Sequence, residues 1–399
     1  MEPESQNIYT TLAEKLEVKK NKKSLSIGVP KETRFQENRI ALAPGTVNLL
    51  IKNGHSVIIE SGAGNAAHFP DFRYSEAGAN IVYSAAEAYK ADIILKVAPP
   101  SLNEVDLLNQ RQTIISTLHL PVQNEEYFKK MLSKKAIALA YEYIRDKSNA
   151  YPILRSMSEI AGNTSILIAS EYLCHPLYGK GTMLGGFSGI TPTDVVILGA
   201  GTVGEFAARA ALGLGAQVKI FDNFIYRLRR IQANLNTRVF TSIIQPEVLL
   251  KALKTADVII GAVHATEGRT PCIVCEDMIK QIKYGAVIVD VSIDQGGCFE
   301  TSRPTSHTNP VYEKHNIIHY CVPNIASRVP HTASYALSNY FAPLILKIGE
   351  EGGLEHLLKN DQGLRQGVYM FNGILTNKFI GDSFSIPYQD IELLVAAFH

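Results

Sequence analysis

The chain has 399 residues, 46% of them hydrophobic and 19% charged, with a formal net charge of +1. That length implies two domains rather than one core, and the near-zero charge argues against a nucleic-acid or acidic-membrane partner. No apolar run approaches the roughly 18 residues that cross a bilayer, so a membrane component is not expected.

In chain order, residues 1–24 read as a charged arm or short surface helix without the apolar centre of a signal peptide. Leu25 to Val29 is a first strand, followed by PKET. Pro44 to Asn53 is a helix begun by proline and stopped by Gly54. Ser56 to Glu60 is a second strand, with an irregular SGAGNAAHFPDF loop behind it. Tyr74 to Ala79 and Ala85 to Lys90 have helical composition. Ile93 to Val97, Thr113 to Thr117 and Ala136 to Ala140 are further buried-type strands. This alternation predicts a first α/β domain, with a parallel sheet, over 1–150. Tyr151 to Ala169 reads as a long helix into a second domain, 151–330. The glycine-rich loop Gly179 to Pro192 leads to its central strand.

Residues 194–223 (DVVILGAGTVGEFAARAALGLGAQVKIFDN) organise that second domain. Val195 to Leu198 suits a strand buried on both faces. Gly199, Gly201 and Gly204 follow in the spacing G-x-G-x-x-G, ahead of an Ala- and Leu-rich helix and a second strand ending at Asp222. The first glycine permits a tight turn, the second lets backbone approach a pyrophosphate, and the third lets helix pack on strand. The helix start offers unpaired N–H groups to the phosphate. Asp222 falls roughly 20 residues on, where a carboxylate accepts bonds from ribose hydroxyls. Strand, glycines, helix, strand and acid in this order indicate a dinucleotide site. Arg227 to Leu235 and Pro246 to Thr255 read as helices. Val239 to Thr241, Val258 to Gly261, Ala286 to Val291 and His319 to Val322 read as strands. Thr332 to Ile348 and helices from Leu354 to Phe398 return the chain, 331–399, to the first domain. The fold class is α/β, two Rossmann-like domains with the second inserted into the first. Ligands would bind in the cleft between them.

Chemistry-bearing residues fall at strand ends facing that cleft. Arg39 is a guanidinium able to grip a carboxylate bidentately. Lys96 ends its strand and is expected at the cleft mouth. His119 follows TIISTL and titrates in the range of neutral-pH proton transfer. In VDVSIDQGGCFETSRP a buried strand is read as ending at Asp294, where a carboxylate either meets the cofactor or caps the turn. Five cysteines in a long chain fit a reducing compartment, and the cytoplasm is the expected address. Cys272 and Cys275 form a C-x-x-C without the two further ligands that zinc needs, so no metal is expected.

The same residues carry a resemblance. GVPKET, ENRIALAP, NGHSVIIESGAG, ADIILKV, STLHLP, SEIAG, the 198–223 run, YGAVIVDVSIDQGGCFETSRPTSH and YCVPNIASRVPHTASYALSN resemble the alanine dehydrogenase family, which shares its fold with the NAD-binding subunit of proton-translocating transhydrogenase. The resemblance implies NAD-dependent oxidative deamination of L-alanine to pyruvate and ammonia, and the reverse. It implies that Arg39 and Lys96 bind the substrate carboxylate and that His119 and Asp294 are catalytic. Asp222 and Arg227 would hold the adenosine ribose. Further cofactor contacts would come from Ser158, Thr202, Val203, Val263, His264, Val291, Ser292, Ile293, Arg303, Val322, Pro323, Asn324 and Ile325. A homo-hexamer built partly through the cofactor domain is also implied. The chain departs from the family at 264–269, where an apolar residue and Pro-Gly are usual. It departs again at Asn163, where a basic residue is common, and in its N-terminal arm. The competing readings are a transhydrogenase-like subunit and a non-catalytic NAD-binding regulator.

Overall fold

The computed structural model describes residues 22–265 and 269–397. Residues 1–21 of the expected arm and Thr266 to Gly268 of the departing loop lie outside it. Six strands form first: β1 (Ser26–Val29), β2 (Ser56–Glu60), β3 (Asn80–Val82), β4 (Ile93–Leu95), β5 (Thr113–Ser116) and β6 (Ile137–Ala140). Seven more follow the helix Pro152–Cys174: β7 (Asp194–Leu198), β8 (Gln217–Phe221), β9 (Phe240–Ser242), β10 (Val258–Gly261), β11 (Val287–Asp290), β12 (Val311–Lys314) and β13 (Ile317–Tyr320). The last strands are β14 (Val368–Phe371) and β15 (Ile374–Leu375), followed by the helices Lys378–Phe384 and Ile391–Ala397.

These strands make two sheets, ordered β15-β14-β6-β5-β4-β1-β2-β3 and β12-β13-β11-β10-β7-β8-β9. The first sheet takes strands from both ends of the chain and the second lies between them in sequence, as two Rossmann-like units with one inserted in the other. Each sheet is parallel except at one edge. β14 runs antiparallel to β6 and β15, and β12 antiparallel to β13. The tail is therefore not wholly helical as expected. Val368 to Phe371 is a fully buried run that completes the first sheet. Likewise the helix expected over 74–79 lies at Asp71–Glu76, and Asn80 to Val82 pairs with β2 instead. Both strands are short runs, of three and four residues, that periodicity alone does not separate from helix.

Alternation across each sheet explains the burial. Ile27, Ile59, Leu95 and Leu139 point to one face, against Leu337, Phe341 and Ile345 of the helix Pro330–Glu350. Ile94, Ile114 and Ala138 point to the other, against Tyr127, Phe128 and Met131. In the second sheet Val195, Ile197 and Ile260 meet Ile166, Ala169 and Ala207. Val196, Leu198 and Ile259 meet Leu249 and Leu253 from the opposite side. Each large apolar side chain so buried contributes about 1.5–3 kcal/mol, which is why these strands read as continuous apolar runs.

The helix Pro152–Cys174 belongs to both cores. Its start buries Ile153 in the first, and Ala161 to Leu173 pack in the second. Polar contacts also cross between the units. Asn38 N–H donates to Ser327 Oγ at 2.8 Å, Asn324 Nδ2 to Glu37 Oε2 at 2.7 Å, and His307 N–H to Gln36 Oε1 at 2.7 Å. These bonds fix the loop after β1 against the carboxyl ends of the second sheet.

Candidate active site

The glycine turn sits between β7 and the helix Thr202–Gly213. Gly199 has φ +109, and a Cβ there would strike the Ala262 carbonyl. A Cβ on Gly204 would strike the Gly199 carbonyl, so helix and turn are packed against each other. Above Gly201 nothing lies within 4 Å of where a Cβ would stand. The two outer glycines are thus held by packing, and the middle one leaves room for a ligand. Asp222 is 4% exposed. One of its oxygens accepts from Ala200 N–H at 2.7 Å and the other from Phe224 N–H at 2.8 Å. Arg227 lies 3.8 Å from the same carboxylate, stacked over Phe224. Arg230 donates to the Ala200 carbonyl at 2.9 Å and so holds the turn.

Two cavities open from this turn. The outer, of 540 Å³, takes Gly199, Asp222, Arg227 and Cys272 into its wall, and the inner, of 310 Å³, takes Arg39, Ser158, Val203, Val291, Ser292, Asp294, Asn324 and Ile325. Val263 and His264 line both, so the cavities meet at that point. Gly201 and Thr202 are half-buried at the helix start. Ile293 and Val322 are buried instead, and Pro323 is half-buried beside them. Arg303 is exposed and stacks on Tyr312, with its guanidinium 4.4 Å from the ring, lining neither cavity. Asn163 is exposed and bonds only back to the Glu159 carbonyl of its own helix at 3.0 Å.

The cations are arranged differently from expectation. Arg39 donates through Nε and Nη2 to the two oxygens of Glu37, at 2.7 and 2.6 Å. Its bidentate edge is therefore occupied from within, and Nη1 points to Met157 Sδ at 3.3 Å on the cavity wall. Burial alone would raise the Glu37 carboxyl, but Arg39 and the Asn324 amide hold it below its ordinary value. Lys96 is not at the mouth of the cleft. It is 1% exposed, with Nζ 3.1 Å from Glu32 and 2.9 Å from Glu104. Burial opposes its charge, and the two carboxylates outweigh that and hold the ammonium above its ordinary range. Glu104 is placed by a capping box with Ser101. That S-x-x-E signal was present in the sequence as SLNE.

His119 has φ 45, and its N–H and that of Leu118 donate to Glu142 Oε1 at 3.3 and 2.7 Å. Burial pushes the imidazole below its ordinary value; Asp294 pulls it up and Arg34 down. Asp294 does not end a strand: β11 stops at Asp290, and Asp294 sits in the single 3₁₀ turn Val291–Gln295. It is solvent-exposed at the cleft, and the protein walls around it raise its carboxyl; Asn324 N–H at 2.9 Å, His119 and Arg39 pull the other way. Burial thus lowers the imidazole and raises the carboxyl, and the attraction between the two partly offsets both shifts. Asp290 anchors this turn, accepting from Ser292 N–H, Cys298 N–H and Ser302 Oγ at 3.1, 3.1 and 2.6 Å. Glu142, which no spacing signal marked, lines the inner cavity with Oε2 unpartnered, and burial pushes its carboxyl up to about 7.

A glycine turn opening into a cleft between two such sheets defines a two-domain Rossmann-type protein with a site built from both units. Profile comparison matches residues 28–161 to "Alanine dehydrogenase/PNT, N-terminal domain" and 165–378 to "Alanine dehydrogenase/PNT, C-terminal domain". An alanine dehydrogenase of Staphylococcus saprophyticus is 38% identical over 92% of this chain and 98% of its own. Alanine dehydrogenase 2 of Staphylococcus aureus is 37% identical over 92% and 99%. Among solved structures, an L-alanine dehydrogenase superposes with a TM-score of 0.84 at 39% identity, covering 90% of this chain and 99% of its own. A transhydrogenase from Sinorhizobium meliloti shares the fold, with a TM-score of 0.76 at 23% identity over 89% and 99%. The chain belongs to the alanine dehydrogenase/PNT family.

Proposed function

We propose that this protein catalyses the reversible oxidative deamination of L-alanine to pyruvate and ammonia with NAD. The observation that carries the reading is the convergence of Arg39, Asp294 and Asn324 on one cavity that continues to the glycine turn, together with relatives named for this activity at 37–38% identity. The residues fit the cofactor. Gly201 leaves open space for a pyrophosphate, and Asp222 keeps lone pairs beyond its two backbone bonds for ribose hydroxyls. A carboxylate there favours NAD over a 2′-phosphorylated cofactor.

Bound NAD supplies the two-electron acceptor for the substrate α-carbon. Arg39 Nη1 offers the free side of its guanidinium to the substrate carboxylate. Lys96 acts from behind, since its own charge is held by Glu32 and Glu104. The substrate ammonium must lose a proton before its α-carbon is oxidised, and neutral His119 takes it. His119 releases that proton to solvent. Water then adds to the C=N carbon as His119 takes one of its protons, and His119 returns it to the amino nitrogen. The C–N bond then breaks, ammonia leaves and the remaining hydroxyl proton passes to the departing ammonia as the carbonyl forms. Asp294 stays beside the reacting nitrogen, orienting it and balancing imidazolium charge.

We also propose a homo-oligomer, a hexamer by analogy with the family. Leu177, Tyr178, Met183, Phe187 and Ile190 are all more than half exposed along the connection into the second sheet, a patch suited to another copy. Among the described residues no helix is long and apolar enough to cross a membrane. A cytoplasmic setting is supported by five free thiols. The test is NADH formation by purified protein with L-alanine beside other amino acids. L-alanine should give the highest kcat/KM; no NADH with any amino acid would overturn the reading.

A further inference from the structure

Three consecutive residues after β1 bear on His119 in a way the reaction scheme does not use. Phe35 and Gln36 both adopt left-handed backbone, at φ 58 and 49, although neither is glycine. The Phe35 ring meets the His119 imidazole edge-on, with centroids 5.3 Å apart at 62°. Behind it the Arg34 guanidinium lies 4.6 Å from the Phe35 centroid and donates to the Pro100 carbonyl at 3.3 Å. Gln36 faces the other unit: its Oε1 accepts from His307 N–H at 2.7 Å and its carbonyl accepts from Ser327 Oγ at 3.3 Å. Strained backbone of this kind persists where surroundings over-determine it; here Phe35 is held by His119 and Arg34 of its own unit and Gln36 by His307 and Ser327 of the second.

We propose that Arg34, Phe35 and Gln36 form a positioning strap for His119, which sets the imidazole only when the two units are docked. This rests on the reading of His119 as the acid/base. Phe35 abuts the ring edge-on and limits its rotation. Arg34 keeps a positive charge on that side, while Asp294 faces the ring from the Val291–Gln295 turn and Glu142 holds its backbone. Gln36 carries the docking of the second unit into this arrangement.

The test measures how fast diethylpyrocarbonate acylates His119 as pH is varied, followed on its peptide by mass spectrometry. Only the neutral ring reacts, so the midpoint reports the imidazole directly and needs no turnover. Phe35→Leu admits water to the ring, and Arg34→Gln, at a half-buried position, removes a like charge. Both should raise the midpoint by about half a pH unit. Gln36→Ala, remote from the ring, should raise it in the same sense. The acidic limb of kcat/KM for L-alanine should move with it in all three. Wild-type midpoints in Phe35→Leu and Arg34→Gln would overturn the strap, and a wild-type midpoint in Gln36→Ala would overturn its coupling to docking. If the midpoints move but wild-type protein forms no NADH from L-alanine, the strap stands and the proposed function falls.

Discussion

Replacing Lys96 with alanine tests whether its buried ammonium is a structural charge. Its Nζ stands 3.1 Å from Glu32 and 2.9 Å from Glu104, with all three side chains at most 10% exposed. At an effective dielectric near 20, each pair is worth about 5 kcal/mol gross, and desolvation of three ions offsets most of that sum. Removing the one cation keeps the desolvation and loses the attraction, so Lys96→Ala should be less stable by about 3–5 kcal/mol. For a unit of this size that corresponds to a fall in Tm of about 6–20 °C. The sign with pH follows from Glu32, whose carboxyl burial already raises. A carboxyl raised above its unfolded value destabilises the fold as pH climbs toward its folded value. The deficit should therefore be large at pH 8 and shrink toward pH 5. Adding Glu32→Gln and Glu104→Gln to Lys96→Ala should recover most of the loss. Calorimetry at the two pH values reads all of this, and a Lys96→Ala protein with wild-type Tm at pH 8 would refute the enclosed ion cluster.

Other outcomes follow from the same geometry. His119→Ala and Asp294→Asn should each lower kcat by about a hundredfold or more, with non-additive losses in the double variant and unchanged NADH dissociation constants by fluorescence titration. Asp222→Ala should weaken NAD binding by about tenfold or more, since charge-assisted bonds are lost, and narrow the ratio of NAD to NADP efficiency. Glu142→Gln should be more stable than wild type above pH 7, by up to about 3 kcal/mol. The gain should fade between pH 7 and 4.5, because the wild-type carboxyl, raised to about 7, then takes up its proton without cost; equal Tm values across that range would contradict its burial.

The sheet strands were legible because a parallel strand covered on both faces has to be a short apolar run, and Val195 to Leu198 or Ile93 to Leu95 are nothing else. The glycine turn was legible because each glycine answers a local steric demand, and two of the three meet backbone where a Cβ would stand. Strands β3, β12, β14 and β15, at the margins of the two sheets, were not, because runs of two to four residues are too short to show a period. At the site, Arg39, His119 and Asp294 stood out by residue type at loop positions. Their acidic partners did not. Glu37 lies two residues from Arg39, but whether it turns toward that side chain depends on the left-handed Phe35–Gln36 backbone. Glu32 reaches Lys96 from the loop after β1 and Glu104 from the first turn of the helix Leu102–Asp106, and Glu142 meets His119 across 23 residues. Spacing carries no information about such meetings, whereas a lysine predicted to face solvent becomes a buried ion once two carboxylates arrive.

That correction changes how the cleft recognises its substrate. Arg39 and Glu37 cancel, and Lys96 is outnumbered by Glu32 and Glu104, so the cleft holds no surplus cation from these groups. A simple carboxylic acid would bring a negative charge to a site already rich in carboxylates, with Asp294 and Glu142 beside it. An amino acid brings its own ammonium, which Asp294 can meet while Arg39 Nη1 takes the carboxylate. The internal pairs also fix the cations before substrate arrives. Less side-chain freedom is then lost on binding, and the positioning that orients the α-carbon is built into the fold. In the deamination direction of the proposed reaction, the preference for a zwitterion would then rest on the acids that the sequence concealed as much as on the cations it displayed.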